Sequence, residues 1–239
     1  MLLYYITDRN QFPGGEAEQL RRLLDKIAES ARAGVDYVQL REKDLTARAL
    51  EQLAREALHA VREHSSTTRL LINSRIDVAL SCGADGVHLT TTDISAGDAR
   101  AIVASARNRR EARTLDEPSI SATSRPFLIV VSTHTLAEVE VTYGQGADFV
   151  VFGPVLEKVT SPRRAGIGLE ELRRTTAAMN RTAQPVPILA LGGITLENAA
   201  DCLNAGASGI AAIRLFQEND VARVVTRLRA IAAEKLREP

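Results

Sequence analysis

Ala33-Gly34-Val35-Asp36-Tyr37-Val38, Cys82-Gly83-Ala84-Asp85-Gly86-Val87, Gln145-Gly146-Ala147-Asp148-Phe149-Val150 and Ala205-Gly206-Ala207-Ser208-Gly209-Ile210 are four copies of one pattern. Each reads as a helix ending on a glycine, a turn, and an apolar strand that starts almost at once. The glycines at 34, 83, 146 and 206 lie 49, 63 and 60 residues apart, about the length of two βα units. Four copies at that spacing imply eight strands, and eight βα units in 239 residues point to one closed (β/α)8 barrel. In such a barrel the chemistry sits just beyond the C-terminal end of each strand.

Working outward, the pattern predicts strands over Leu2–Thr7, Asp36–Leu40, Leu70–Asn73, Gly86–Leu89, Phe127–Val131, Phe149–Phe152, Pro187–Leu191 and Gly209–Ile213. Between them it predicts helices over Glu16–Ala33, Thr46–Glu63, a short one through Leu80, Ser95–Ala106, Leu169–Met179 and Asp220–Leu236. Thr135 with Glu138 makes a capping box for one more, and Thr195 caps another. The strands are near-continuous apolar runs, as in a parallel sheet buried on both faces. An open doubly wound sheet gives similar runs; eight units in one chain favour closure. Residues 1–239 read as a single TIM-barrel domain. A flexible insertion at about 108–126, rich in Arg, Ser, Thr and Pro, precedes strand five on the face away from the chemistry.

Apolar residues make up 45% of the chain, enough for a sizeable core, and aromatics only 4%, so Leu, Ile, Val and Ala must fill it. Zero formal charge argues against nucleic acid or a membrane surface as partner. No apolar run approaches the roughly 20 residues of a membrane span, and the apolar start is too short for a signal peptide, so the expected location is cytoplasmic. Cys82 and Cys202, each at a helix end beside a glycine turn, read as buried free thiols. The only lysines are Lys26, Lys43, Lys158 and Lys235, two of which fall in loops after strands.

Those loops carry the polar residues. After strand two, alternation puts Gln39, Arg41 and Lys43 on one side, toward the mouth. Two cations there suit a phosphate, which Arg grips with a planar fork and Lys meets as a point charge. The competing reading pairs them with Glu42 and Asp44. Asn73 and Asp93 are hard oxygen donors suited to Mg2+ shared with substrate phosphates; Asp93 could instead cap the helix near Ser95. Ser132 can hydrogen-bond a ligand, and His134 can transfer a proton near neutral pH or serve only as a first-turn helix residue. His88 reads as a core histidine, and His59 and His64 as solvated. The loop holding Lys158 and Thr160 has the make-up of a closing flap. Gly192-Gly193 after strand seven and Ile213-Arg214 after strand eight occupy the usual phosphate site of this barrel class.

Gln39-Leu40-Arg41-Glu42-Lys43, Ile72-Asn73-Ser74-Arg75-Ile76-Asp77, Gly83-Ala84-Asp85-Gly86-Val87-His88-Leu89, Val131-Ser132-Thr133-His134-Thr135, Gly146 through Gly153-Pro154, and Gly192-Gly193-Ile194 together resemble the thiamine phosphate synthase family. The resemblance runs in order over nearly the whole chain. It implies coupling of hydroxymethylpyrimidine diphosphate with a thiazole phosphate carboxylate, with release of diphosphate. It implies that Gln39 touches the pyrimidine, that Arg41, Lys43 and Asn73 hold diphosphate, that Asp93 binds Mg2+ and that Ser132 assists. It also implies that Thr160 and the Gly192-Gly193 backbone take the thiazole phosphate. The chain departs from the family pattern in three places: Ser74 stands where an Asp is usual, the flap carries Lys158, Thr160 and Ser161 in place of two threonines and a lysine, and Arg214 replaces a common Ser. The same superfamily holds thiazole tautomerases, for which His134 would shuttle the proton; a non-catalytic paralogue binding a phosphorylated thiazole or pyrimidine is a further alternative. Nothing in the sequence sets the oligomeric state, and a homo-oligomer stays open.

Overall fold

A computed structural model describes residues 1–113, 125–156 and 166–235. Eight parallel strands, β1 (Leu2–Ile6), β2 (Tyr37–Leu40), β3 (Arg69–Asn73), β4 (Gly86–Leu89), β5 (Leu128–Thr133), β6 (Phe149–Phe152), β7 (Ile188–Leu191) and β8 (Gly209–Ala212), pair in sequence order, and β8 closes on β1. Closure excludes the doubly wound alternative: this is a (β/α)8 TIM barrel. Its outer ring comprises α1 (Glu16–Arg32), α2 (Ala47–His64), α3 (Ile76–Cys82), α4 (Ala96–Arg113), α5 (Leu136–Gly144), α6 (Leu169–Met179), α7 (Ala199–Asn204), α8 (Arg214–Gln217) and α9 (Val221–Lys235).

The repeated pattern does more than end helices. Gly34, Gly83, Gly146 and Gly206 all have positive φ, at 81°, 72°, 86° and 96°, the left-handed turn that favours glycine. The residue two places on then locks two strands together. Asp36 donates its backbone N–H to Leu3 O at 3.1 Å, and its carboxylate accepts the Leu3 N–H at 2.7 Å. Asp85 does the same to Leu70 (2.9 and 2.9 Å), and Asp148 to Ile129 (2.8 and 2.6 Å). In the fourth copy Ser208 substitutes, and its hydroxyl reaches the Ile188 N–H at 3.4 Å. Each even-numbered strand thus grips the N-terminal end of the strand before it. Arg229 on α9 and Arg100 on α4 brace the first and third clamps, with ion pairs to Asp36 at 2.8 Å and to Asp148 at 2.5 Å.

Two apolar cores result. Inside the barrel, Tyr4, Leu71, Val130, Phe149, Val151 and Leu189 interdigitate, with Tyr4 and Phe149 edge-on at 5.9 Å. Outside it, the opposite faces of the strands pack against the helices. Cys82 and Cys202 are buried free thiols; burial raises the first and pushes the second up to about 11. No helix among the described residues is long and apolar enough to cross a membrane.

Several boundaries differ from the sequence reading. α4 continues to Arg113, so the segment expected to be irregular from Asn108 begins as helix, and residues 114–124 lie outside the described part. β5 extends two residues past Val131 because Ser132 and Thr133 pair with Val151 and Phe152 on β6. Thr195 does not cap α7; its N–H donates to the Asn198 side chain at 2.8 Å, and the helix begins at Ala199. α8, a single turn, went unpredicted. The Thr135–Glu138 capping box is present as expected.

Because the clamp carboxylates are charged acceptors for backbone N–H groups, their loss should cost about 1–3 kcal/mol each. Urea denaturation should show Asp148→Ala and Asp85→Ala in that range, and Ser208→Ala within about 1 kcal/mol, its hydrogen bond being long and uncharged.

Candidate active site

At the C-terminal mouth the deciding question is which carboxylates Arg41 and Lys43 meet. They meet none among the described residues. Arg9, just beyond β1, takes both neighbours: its guanidinium pairs with Glu42 at 3.1 Å and with Asp44 at 2.6 Å. Thr7 completes the arrangement. Its hydroxyl donates to Glu42 at 2.6 Å and accepts the Arg41 backbone N–H at 2.9 Å. Burial pushes the Glu42 carboxyl up, opposed by the Thr7 and Arg9 hydrogen bonds, while Arg9 is held charged chiefly by its bonds to Asp44. The end of β2 is therefore fixed by a buried ion pair that engages neither Arg41 nor Lys43. Arg41, half-buried, and Lys43, exposed, stand uncommitted above it.

Across β3 and β4, Ser74 is the one described non-glycine residue with positive φ, at 59°. Its N–H bonds to His88 O at 2.8 Å, its hydroxyl donates to Asp93 Oδ2 at 2.8 Å, and it accepts from Asn73 Nδ2 at 3.0 Å. Strained backbone of this kind persists where surrounding contacts over-determine it. Asp93 does not cap α4; Ser95 does, accepting from Asp98 N at 3.0 Å. Asp93 instead has Oδ2 filled by Ser74 and by the Thr90 N–H and hydroxyl at 2.7 and 2.9 Å. Its Oδ1 has no partner among the described residues.

On the far side, Gly192 and Gly193 both have positive φ, 101° and 63°. A Cβ on Gly192 would sit 2.5 Å from Pro154 Cβ, so glycine there is also required by the packing of the β6 and β7 loops. The N–H groups of Gly193 and Ile194 have no backbone partner among the described residues. α8 explains Arg214: Gln217, buried one turn on, bonds to Tyr5 Oη at 2.9 Å and to the Asp8 N–H and carbonyl at 3.2 and 2.8 Å, which anchors the turn against β1. Arg214 and Ile213 are half-buried at the rim, and Arg214 has no ion pair with a described residue. His134 is exposed, with Nδ1 hydrogen-bonded to Gly153 O. Lys158 and Thr160 lie outside the described residues.

Beneath the mouth, His88 is 2% exposed and contacts both Tyr4 and Ser132. It is a core histidine, as read, but it touches a candidate site residue. Gln39, also buried, reaches the Tyr4 hydroxyl at 3.2 Å. Sequence reading missed Tyr4, Thr7 and Arg9. The available signal was that strand one has a mouth end too, with Tyr4 on the inward alternation and Thr7-Asp8-Arg9 following it.

Residues 3–120 and 115–216 match the family model described as thiamine monophosphate synthase. The chain belongs to that family. A Geobacter sulfurreducens protein, provisionally named a thiamine-phosphate synthase, is 39% identical over 215 residues, spanning 88% of this chain and 84% of the relative. A thiamine-phosphate synthase of Methanoculleus marisnigri is 34% identical over 238 residues, spanning 98% and 96%. Among solved structures, thiamine phosphate pyrophosphorylase from Pyrococcus furiosus is similar over 98% of this chain and 96% of its own, with a TM-score of 0.73 and 28% identity.

For the metal that the family implies, the donor chemistry fits: one carboxylate whose Oδ1 has no described partner, beside the oxygen groups of Asn73, Ser74 and Thr90, suits a hard divalent ion that completes its shell with substrate phosphate and water. No group of three or more His, Cys, Asp or Glu side chains poised for a metal occurs among the described residues.

Two measurements check this geometry. Arg9→Met leaves Glu42 as a buried unpaired charge and should cost about 3–5 kcal/mol in denaturant unfolding. Burial, and then the Arg41 charge, push His88 down to about 3, with Asp93 opposing. The folded protein keeps His88 neutral while the unfolded chain protonates it near 6.5, so its contribution is complete above about pH 6.5 and is lost as pH falls toward about 3. Over that window the unfolding free energy of the wild type should fall with a slope up to about 1.4 kcal/mol per pH unit steeper than that of His88→Gln.

Proposed function

We propose that the protein is a thiamine phosphate synthase, a transferase that couples hydroxymethylpyrimidine diphosphate with thiazole phosphate carboxylate and releases diphosphate. The observation that carries this reading is the diversion of Glu42 and Asp44 to Arg9, which leaves Arg41 and Lys43 free for an anion. In this reading Arg41, Lys43 and Asn73 hold the diphosphate, and their charge stabilises it as the methylene carbon–oxygen bond breaks. Mg2+, held by Asp93, would supply further neutralisation of the leaving group. Gln39 and Ser132 contact the pyrimidine side, which orients the methylene carbon toward the thiazole nitrogen that captures it. The N–H groups at Gly192 and Gly193, with Ile213 and Arg214, take the thiazole phosphate, and Lys158 and Thr160 are assigned to the same substrate by the family resemblance alone. His134, tied by Nδ1 to Gly153 O, has its other ring nitrogen for the substrate side.

Ser74 favours a second reading, a thiazole tautomerase, because it removes a carboxylate from the metal side. One coupling assay separates the two. Purified protein with both substrates should form thiamine phosphate and diphosphate only with Mg2+, and Arg41→Ala should lower kcat/KM by about 10²–10³. Absence of coupling, together with thiazole isomerisation that His134→Ala abolishes, would install the tautomerase instead. Ser74→Asp sets a second carboxylate against Asp93. Calorimetric titration should then show tighter Mg2+ binding, and unchanged binding would place Ser74 outside the metal site.

A further inference from the structure

Three consecutive residues beyond β1 touch both flanks of the mouth. Thr7 and Arg9 reach toward β2. The Thr7 N–H donates to Gln39 O at 3.0 Å, its hydroxyl accepts the Arg41 N–H at 2.9 Å, and the Arg9 N–H donates to Glu42 Oε2 at 3.1 Å. Asp8, between them, turns the other way. Its N–H donates to Gln217 Oε1 at 3.2 Å, and its carbonyl accepts from Gln217 Nε2 at 2.8 Å. Tyr5 donates its hydroxyl to the same Oε1 at 2.9 Å, and Phe216 packs against the Tyr5 ring at 6.1 Å.

Gln217 matters because the strand ladder stops short of the mouth. β1 and β8 pair as far as Tyr5 with Ala212, and β1 and β2 as far as Ile6 with Gln39. Past those pairs Thr7 and Arg9 hold the loop to β2. Among the described residues, the Gln217 amide supplies every hydrogen bond between residues 7–9 and α8. Thr7, Arg9, Glu42 and Gln217 are each at most 5% exposed. Close-packed groups of this kind pass a displacement on rather than absorbing it. The route from α8 to Arg41 is short: Gln217 to Asp8, then one peptide back to Thr7, whose hydroxyl holds the Arg41 N–H.

We infer that Gln217 is a positioning residue for anion binding at Arg41. By fixing Asp8 it sets the end of β2 relative to α8, so Arg41 on one flank and Arg214 on the other are tied to one three-residue strut. This deepens the proposed function and rests on it for the identity of the anion, a diphosphate. Two phosphate-bearing substrates react only when their anchoring sites hold carbon and nitrogen at contact distance, and a small misplacement slows the reaction severely. The Gln217 side chain makes no hydrogen bond to Arg41, Lys43 or Arg214, so its effect on an anion must travel through the strut.

Calorimetric titration with inorganic pyrophosphate at fixed Mg2+ tests this without turnover. Arg41→Ala should weaken binding about tenfold or more, which assigns the site. Gln217→Met keeps the side-chain length, removes all three hydrogen bonds, and should weaken binding about fivefold or more. Stoichiometry separates positioning from damage, since unfolded protein lowers the number of sites and leaves the affinity of the rest unchanged. Tyr5→Phe cuts one bond of the three; it is the milder variant and should shift the affinity in the same direction. In a Thr7→Val background, where the side-chain bond to Arg41 is already gone, Gln217→Met should add less than about twofold. Wild-type affinity in Gln217→Met and Tyr5→Phe, a loss of sites alone, or additive losses with Thr7→Val overturns the inference. Pyrophosphate binding that ignores Arg41→Ala overturns it too, together with the anion reading of the site. If the wild type binds pyrophosphate but couples nothing, the proposed reaction fails on its own, and the affinities still decide the strut.

Discussion

Everything at the mouth depends on a constraint at the opposite end of the barrel. Asp36, Asp85 and Asp148 each exchange two hydrogen bonds with the strand before them, and Ser208 repeats the contact more weakly. These clamps fix the register at the start of four strand pairs. Because side chains alternate along a strand, a slip of one residue would turn Gln39, His88 and Ser132 from the interior to the helix side. Register held at the N-terminal ends is thus what makes four strands deliver polar groups to one line at the other.

The second organising fact is a competition for carboxylates. A guanidinium at position 9 and another at position 41 could both reach the end of β2. Arg9 wins because the Thr7 hydroxyl and the Arg9 backbone N–H already hold Glu42. A buried pair of this kind adds little net stability. Its consequence is electrostatic: among the described residues, Arg41, Lys43 and Arg214 have no ion-pair partner. The mouth therefore favours phosphate-bearing ligands, in keeping with the family to which the chain belongs.

Much of this was legible in the chain. The glycine pattern is local, since a left-handed helix end needs glycine whatever surrounds it, and it yielded both the strand count and the strand starts. Alternation put Gln39, Arg41 and Lys43 on one side for the same reason. The errors fall where local signals are degenerate. Thr195 satisfies a capping rule, but Asn198 accepts its N–H, so the helix starts later. Ser132 and Thr133 look like loop residues until β6 pairs with them. The arginine-rich stretch after Ala106 lacks an apolar period, yet it continues α4 to Arg113.

Sequence alone determined the barrel, its glycine turns, the free buried thiols and the family, because each rests on residues within a few positions of one another or on motifs in order along the chain. Tertiary structure decided which charges are spent and which are spare. Arg9 and Glu42 are 33 residues apart, His88 and Ser132 are 44 apart, and Tyr4 and His88 are 84 apart. No periodicity links such positions. Their partnership exists only once closure brings β1, β2, β4 and β5 around one axis, and burial then leaves each polar group only the partners within reach.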